Sequence, residues 1–216
     1  MDKKCILFVL FVVLQAIGDI VFAQQLSGEM QAAYNACLKM RSAIGAGSQT
    51  GLKAASKAFK MCNTKNFGVL RCLSENPLPL DGHFVFDDVF VDSLIAGRDV
   101  YRFAQRYAKS RSVRGASSSG VIFDKTCAVR KLSSVKYLLV SKGRQELAFV
   151  TEPGGMITIR IYDKTNDRWY NDTEDVKKGQ LSRYHVFDLP ADRRCTLEIE
   201  IINTADKDIS FVILGN

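Results

Sequence analysis

The chain has 216 residues, 47% of them hydrophobic, and a formal net charge of +7 with an isoelectric point near 9.1. This length allows one large domain or one domain with a small addition, and the composition is typical of a globular protein with a buried core. Only two histidines and no C-x-x-C pair are present, which argues against a zinc site. The positive charge indicates a nucleic-acid partner only if the protein stays inside the cell.

The N-terminus predicts export. Lys3 and Lys4 precede the apolar run CILFVLFVVL, and the small residues Val21 and Ala23 follow it. This order is typical of a secretory signal peptide, so we expect residues 1–23 to be cleaved off after Ala23. An uncleaved anchor is the alternative, but the run is shorter than the roughly 20 residues that span a bilayer. We therefore expect a secreted or periplasmic protein without a membrane span. Its charge suits an anionic glycan, a lipid headgroup, an acidic protein or plain solvation better than nucleic acid.

Removal of the signal leaves five cysteines. An odd number in an exported protein predicts at least one free thiol or an intermolecular bridge. Cys37 and Cys62 both fall on apolar helix faces, so a bridge from Cys37 to Cys62 or to Cys72 is a candidate. Buried free thiols are the alternative, because cysteine is common in protein cores.

The segment 24–80 is predicted to be helical. Apolar residues between Leu26 and Ile44 recur in steps of four and three, and the same pattern runs from Leu52 to Cys62. A third short apolar turn is expected at residues 67–73. These patterns predict a helical hairpin or a small three-helix unit that ends before the prolines at 77 and 79.

The segment 81–216 is predicted to be a β domain. Short apolar runs at residues 84–86 and 89–91 are interpreted as strands, and residues 100–107 fit either a helix or a strand. Further strands are expected at residues 121–123, 127–129, 135–140, 147–150, 157–162, 184–189, 196–202 and 209–214. Strict alternation of apolar and polar residues at 157–162 and 197–201 indicates strands with one face on a core. Strands at this spacing predict a mainly β fold, an antiparallel β-sandwich or barrel.

Residues 137–214 carry a recurring arrangement of strands and turns. A strand enters a glycine turn at residues 137–144, the strand ELAFV and a Pro-Gly-Gly turn follow, and the next strand ends in Tyr162-Asp163. The final strand contains Ser-Phe-Val-Ile-Leu. This pattern resembles the β-sandwich modules known as pre-peptidase C-terminal domains, and jelly-roll carbohydrate-binding modules, over residues 137–214 or, with earlier strands, 84–214. The resemblance implies a jelly-roll sandwich that is a non-catalytic, secreted module for binding a ligand or another domain.

The loop at residues 163–175 is the main candidate binding site. Its only tryptophan stands next to a tyrosine, and the pair could stack on a sugar ring while neighbouring acids and amides bind hydroxyl groups. The candidate ligand-binding residues are Trp169, Tyr170, Asp163, Asp167, Asn171 and Asp172. Calcium is the alternative occupant, and no other cofactor is expected; its candidate ligands are Asp163, Asp167, Asp172 and Asp175. The third interpretation is a buried tryptophan with solvated acids. Asn171-Asp172-Thr173 is also a formal glycosylation sequon.

A second candidate site is basic. A solvated face is the favoured interpretation, and a strip that binds an anion is the alternative. Its members are Arg98, Arg102, Arg106 and Arg111. No common hydrolase, P-loop or dinucleotide motif occurs, and the S-x-x-K match at Ser133 lacks its partner motifs. We therefore expect a non-catalytic binding module for a glycan or a protein. A structural protein of the cell envelope is the second hypothesis, and a cysteine or serine hydrolase is the third.

Overall fold

The computed structural model describes residues 25–62, 64–75, 77–80, 84–86, 88–97, 122–170 and 182–216. The helices within these residues are α1 (Gly28–Gly45), α2 (Gln49–Lys60) and α3 (Asp88–Ile95). The strands are β1 (Thr64–Asn66), β2 (Arg71–Cys72), β3 (Ile122–Val129), β4 (Ser133–Ser141), β5 (Arg144–Thr151), β6 (Ile157–Asp163), β7 (Arg168–Trp169), β8 (Ser182–Asp188), β9 (Cys195–Asn203) and β10 (Ile209–Gly215).

The described strands form two five-stranded sheets. Sheet A has the order β1-β3-β10-β5-β8, and sheet B has the order β2-β4-β9-β6-β7. The β1–β3 pair is parallel and the other described pairs are antiparallel. The protein is thus mainly β, a sandwich preceded by a pair of helices, as the sequence predicted. Its likeness to the pre-peptidase C-terminal and jelly-roll modules stays a prediction.

The fold has three layers, because sheet A is covered on both faces. In β5, Leu147 and Phe149 point into the core between the two sheets. Ala148 and Val150 point the other way, into the core shared with the helices. A strand that is buried on both sides reads as a continuous apolar run, and β10 has this pattern as well. The helices therefore lie on one side of sheet A, and sheet B lies on the other.

The start of α1 is tied to sheet A by a buried carboxylate. Ser27 caps α1, and its hydroxyl accepts a hydrogen bond from the Met30 amide at 3.4 Å. The Ser27 amide and hydroxyl both donate to Glu146 Oε2, at 2.9 and 2.8 Å. Arg144 Nε donates to Glu146 Oε1 at 2.9 Å, and Arg144 also reaches the Gln25 carbonyl at 2.6 Å. These bonds fix the helical layer on the sandwich.

Most of the predicted strands are confirmed, and three early predictions are wrong. Residues 89–91 belong to a helix, because apolar residues at 90, 91, 94 and 95 recur at the helical period. Residues 84–86 form no strand, and Phe86 packs in the helical core. The third helical turn is not at residues 67–73, where Phe67 and Leu70 instead point into the core between the sheets.

Some predictions are not tested by the described residues. The division of the chain into segments 24–80 and 81–216 stays a prediction, although β1 and β2 come before residue 80 and α3 comes after it. Residues 100–107 lie outside the described part of the chain. The signal peptide at residues 1–23 lies outside it too, so its cleavage after Ala23 also remains a prediction.

Candidate binding face

The face of sheet B that points away from sheet A is the candidate site, and we call it the outer face of sheet B. Residues in β9 alternate strictly between buried and half-exposed. Leu197 and Ile199 point inward, whereas Glu198 and Glu200 point outward. Because side chains alternate along a strand, the same outward row continues through the neighbouring strands.

Five side chains form a continuous row across this face. The strand register pairs Arg71 with Leu138, Leu138 with Glu198, Glu198 with Tyr162, and Tyr162 with Trp169. Adjacent strands are about 4.8 Å apart, so the row is about 19 Å long. Residues that are more than 90 positions apart in the sequence thus form one surface.

Ion pairs occupy the middle of the outer face. Lys136 Nζ lies 2.8 Å from Glu198 Oε1, and Lys164 Nζ lies 3.3 Å from Glu198 Oε2. The hydrogen bond from Lys136, with help from Lys164, lowers the pKa of Glu198, and the same bond raises the pKa of Lys136. Arg160 lies 3.6 Å from Glu200. These pairs hold the long side chains in place on the sheet.

An aromatic pair stands at one end of the row. The Trp169 side chain is 58% exposed, and its ring lies 4.9 Å from that of Tyr162 at an angle of 39°. The Tyr162 hydroxyl donates a short hydrogen bond to the Asp167 carboxylate, and this bond raises the pKa of Tyr162. The indole is therefore presented to solvent on a phenol ring that is itself held in position.

Asp163 organises the turn that carries this pair. Its Oδ1 accepts hydrogen bonds from the amides of Thr165 (2.9 Å) and Asn166 (3.2 Å). Its Oδ2 accepts bonds from the Asn166 side chain (2.6 Å) and the Tyr170 hydroxyl (3.2 Å). Burial alone would raise the pKa of Asp163, but these bonds favour the charged form and lower it. The carboxylate is saturated from within the turn, which explains how a charged group can be fully buried.

Tyr170 does not share a surface with Trp169. Its ring packs against Phe187 at 4.7 Å between centroids, on the side of the core, and the Arg168 guanidinium lies over the ring at 4.5 Å from its centroid. Neighbouring residues of an extended strand point to opposite faces, so the two rings diverge. The structure pairs Trp169 with Tyr162 instead, which the sequence analysis did not name as a site residue. The outward position of Tyr162 in the alternating run of β6 was the signal that could have found it.

The other predicted site residues are not brought together in the described part of the chain. Asn171, Asp172 and Asp175 lie outside it. The basic set Arg98, Arg102, Arg106 and Arg111 also lies outside it. Among the residues that are described, no group of three or more His, Cys, Asp or Glu side chains is placed to hold a metal ion. The calcium interpretation therefore stays a prediction, because two of its four candidate ligands lie outside the described residues.

The predicted disulfide bridges are not formed in the structure. The cysteines at 37, 62, 72, 127 and 195 are all free thiols. Cys37 is buried in the helical core, where burial raises its pKa well above the ordinary value. The Cys62 thiol instead donates to the Ala58 carbonyl one helical turn earlier, at 3.3 Å. The structure thus contains free thiols, the alternative in the sequence analysis, and those of Cys37, Cys127 and Cys195 are buried.

No helix in the described residues is both long and apolar enough to cross a membrane. The chain matches no known protein family and no curated protein. Among solved structures it is similar to a mutant of PliG-Ec, a periplasmic lysozyme inhibitor of g-type lysozyme from Escherichia coli. The identity is 12% and the TM-score 0.31, over 49% of this chain and 92% of that one.

Two structures of CapF are also similar to the chain. One contains the inhibitor 3-isopropenyl-tropolone, with 14% identity, a TM-score of 0.21, and coverage of 79% of this chain and 43% of that chain. The other is the capsular polysaccharide assembling protein from Staphylococcus aureus, with 14% identity, a TM-score of 0.21, and coverage of 76% and 40%. The chain thus spans less than half of the CapF chains. Likenesses with TM-scores this low carry no argument about function.

Proposed function

We propose that this is an exported, non-catalytic binding protein that recognises a protein partner through the outer face of sheet B. The observation that carries the proposal is the exposed Trp169 ring, packed against Tyr162 at the end of a row that crosses five strands. Tryptophan and tyrosine are enriched among residues that dominate binding energy at protein interfaces. A large aromatic side chain that is fixed before binding also loses little conformational entropy when a partner covers it.

The surroundings of Trp169 favour a protein over a glycan. Sugar binding needs polar groups that are available to bind hydroxyls, but Asp167 is already bonded to Tyr162 and Asp163 to its own turn. The opposite end of the face carries apolar side chains, because Val140 is 50% exposed and Leu73 is 38% exposed. A face with apolar groups at both ends and ion pairs between them suits a broad, mixed interface.

The proposal is tested by comparing two alanine variants of the secreted chain as immobilised bait. A partner identified from the extracellular fraction is purified, and its Kd is measured for the native chain, Trp169→Ala and Leu132→Ala. Leu132 is 73% exposed in the turn between β3 and β4, away from the row, so it is the matched control. We expect Trp169→Ala to weaken binding at least about 30-fold, the effect of an interface residue worth 2 kcal/mol, and Leu132→Ala to change it little.

Four outcomes would overturn all or part of the proposal. Equal loss in both variants would show that the partner does not use this face. A glycan that shifts Trp169 fluorescence and is lost in Trp169→Ala would replace the protein partner with a carbohydrate. Labelling of the native chain by a serine- or thiol-directed activity probe would instead support the hydrolase hypothesis. Accumulation in the cytoplasm would remove export from the proposal.

A further inference from the structure

A groove on the opposite side of the molecule carries a concentrated positive charge. It lies between α2 and α3, has a volume of about 430 Å³, and is lined by Lys53, Lys57 and Lys60 together with Asp92, Ile95 and Ala96. The helices cover the face of sheet A that points away from sheet B. This groove is therefore separated from the Trp169 end of the outer face by the full thickness of the sandwich.

The three lysines share one face of α2 because their spacing is four and three residues. The other face of α2 is committed to the core, where Leu52, Ala55 and Phe59 are buried. The lysines consequently project along the groove, and they are not needed to attach the helix. Four residues of a helix rise about 6 Å along its axis, so Lys53 and Lys57 project from positions about that far apart.

Among the described residues that line the groove, Asp92 is the single acid, and its carboxylate is already paired. Asp92 accepts hydrogen bonds from Lys60 at 2.5 Å and from the Ser56 hydroxyl at 2.7 Å. The hydrogen bond from Lys60 is the main cause that lowers the pKa of Asp92, and the bond from Ser56 adds to it. Asp92 therefore stays charged and neutralises Lys60. In the described residues no carboxylate pairs with Lys53 or Lys57. The groove therefore keeps two uncompensated positive charges beside the apolar side chains of Ile95 and Ala96.

We propose that this groove binds an acidic peptide segment of a second partner protein. Two carboxylates of such a segment pair with Lys53 and Lys57, and an apolar side chain between them lies against Ile95 and Ala96. Carboxylates two residues apart on an extended peptide are about 6.7 Å apart, which matches the spacing of the lysines. A sulfated glycan or an anionic lipid headgroup supplies the charge but not the apolar side chain. The protein thus has two binding surfaces, on opposite sides.

The probe for this proposal is a fluorescein-labelled synthetic peptide in which glutamate and leucine alternate, with binding measured by fluorescence anisotropy. The test variant is Lys53→Glu/Lys57→Glu. The matched control is Lys39→Glu/Lys142→Glu, which reverses two exposed lysines outside the groove. Both variants lower the net charge by 4, from +7 to +3. We expect the groove variant to bind at least about tenfold more weakly, a loss of about 1.4 kcal/mol, and the control to bind within about twofold of the native chain.

Two further measurements make the result decisive. Lys53→Gln/Lys57→Gln removes the charge without reversal and should also weaken binding, whereas Ala96→Trp fills the groove and should weaken it with the charge intact. Equal weakening by the two charge-reversal pairs would overturn the proposal, because it would show attraction to net charge only. Tighter, groove-dependent binding of a heparin fragment or of anionic vesicles would replace the peptide with a glycan or a lipid. No binding of the peptide to the native chain would also refute it.

Discussion

Replacement of Glu146 by glutamine should uncouple the helical layer from the sandwich. Glu146 is 1% exposed, and its two carboxylate oxygens accept three hydrogen bonds, two from Ser27 and one from Arg144. In Glu146→Gln one carboxylate oxygen is replaced by an amide NH2 group, which is a donor. Either Arg144 or Ser27 then faces a donor and loses its acceptor.

The size of the effect follows from these contacts. A hydrogen bond to a charged group contributes about 1.5–3 kcal/mol, and leaving a buried donor unpaired costs a similar amount. We expect Glu146→Gln to lower the free energy of unfolding by about 2–3 kcal/mol. For a domain of this size that corresponds to a decrease in Tm of roughly 4–12 °C. The matched control is Glu200→Gln on the outer face of sheet B, where a partly exposed ion pair contributes at most about 1 kcal/mol.

The assay is urea unfolding of the chain that begins at Gln24. Unfolding is monitored by tryptophan fluorescence and by circular dichroism. A double variant, Ser27→Ala/Glu146→Gln, should cost less than the sum of the two single variants, because both single variants affect the hydrogen bond from the Ser27 hydroxyl to Glu146. If the free energy of unfolding of Glu146→Gln lies within about 0.5 kcal/mol of the native value, the carboxylate does not hold α1 on sheet A. Strict additivity of the two single variants would lead to the same conclusion.

Two other predictions concern ionisation and thiols. The pKa of Asp163 is lower in the folded than in the unfolded protein. Its contribution to stability is therefore fully present above the unfolded pKa, about 3.9. This contribution is lost as the pH falls through the folded pKa. The destabilisation caused by Asp163→Asn, measured by urea unfolding, should therefore be largest near neutral pH and shrink in acid; a constant difference would contradict the hydrogen bonds described for this carboxylate. For the thiols, a maleimide reagent should label the half-buried Cys62 and Cys72 in the native chain and all five cysteines after unfolding without reductant. Fewer than five labelled thiols would reveal a disulfide bridge. Burial raises the pKa of Cys127 to about 11, so this thiol should react only after unfolding.

The sequence predicted the strands well because their side-chain alternation is a local property. The run at residues 157–162 and the run at 197–201 each specified a strand. The run at 197–201 also specified which residues are buried, whereas Thr158 in the other run is buried although it is polar. The order of the strands was not predictable, since β9 lies between β4 and β6 by contacts between residues distant in the chain. Alternating apolar residues do not encode which of several similar strands is the neighbour.

In the candidate site, too, only the features that depend on local sequence were predictable. The sequence predicted Trp169 as a site residue, but it paired the ring with Tyr170, the next residue along the chain. Its actual neighbour, Tyr162, depends on the register between β6 and a strand of two residues. The helix at residues 88–95 was missed for a related reason, because a short apolar run fits both a helix and a strand until its packing partner is known. The lysine groove depends on α3 and could not be foreseen without it.

The position of β10 limits the order in which the chain can fold. Residues 209–215 form the central strand of sheet A, and β3 and β5 are joined only through them. While the protein is being synthesised, β3 and β5 each keep one edge unpaired until more than 60 residues after β5 have been added. Contacts this distant in sequence slow folding and leave strand edges open to wrong partners. A chaperone that shields β3 and β5 during this delay would therefore raise the yield of folded protein, and a chain that stops before residue 209 would be prone to aggregation.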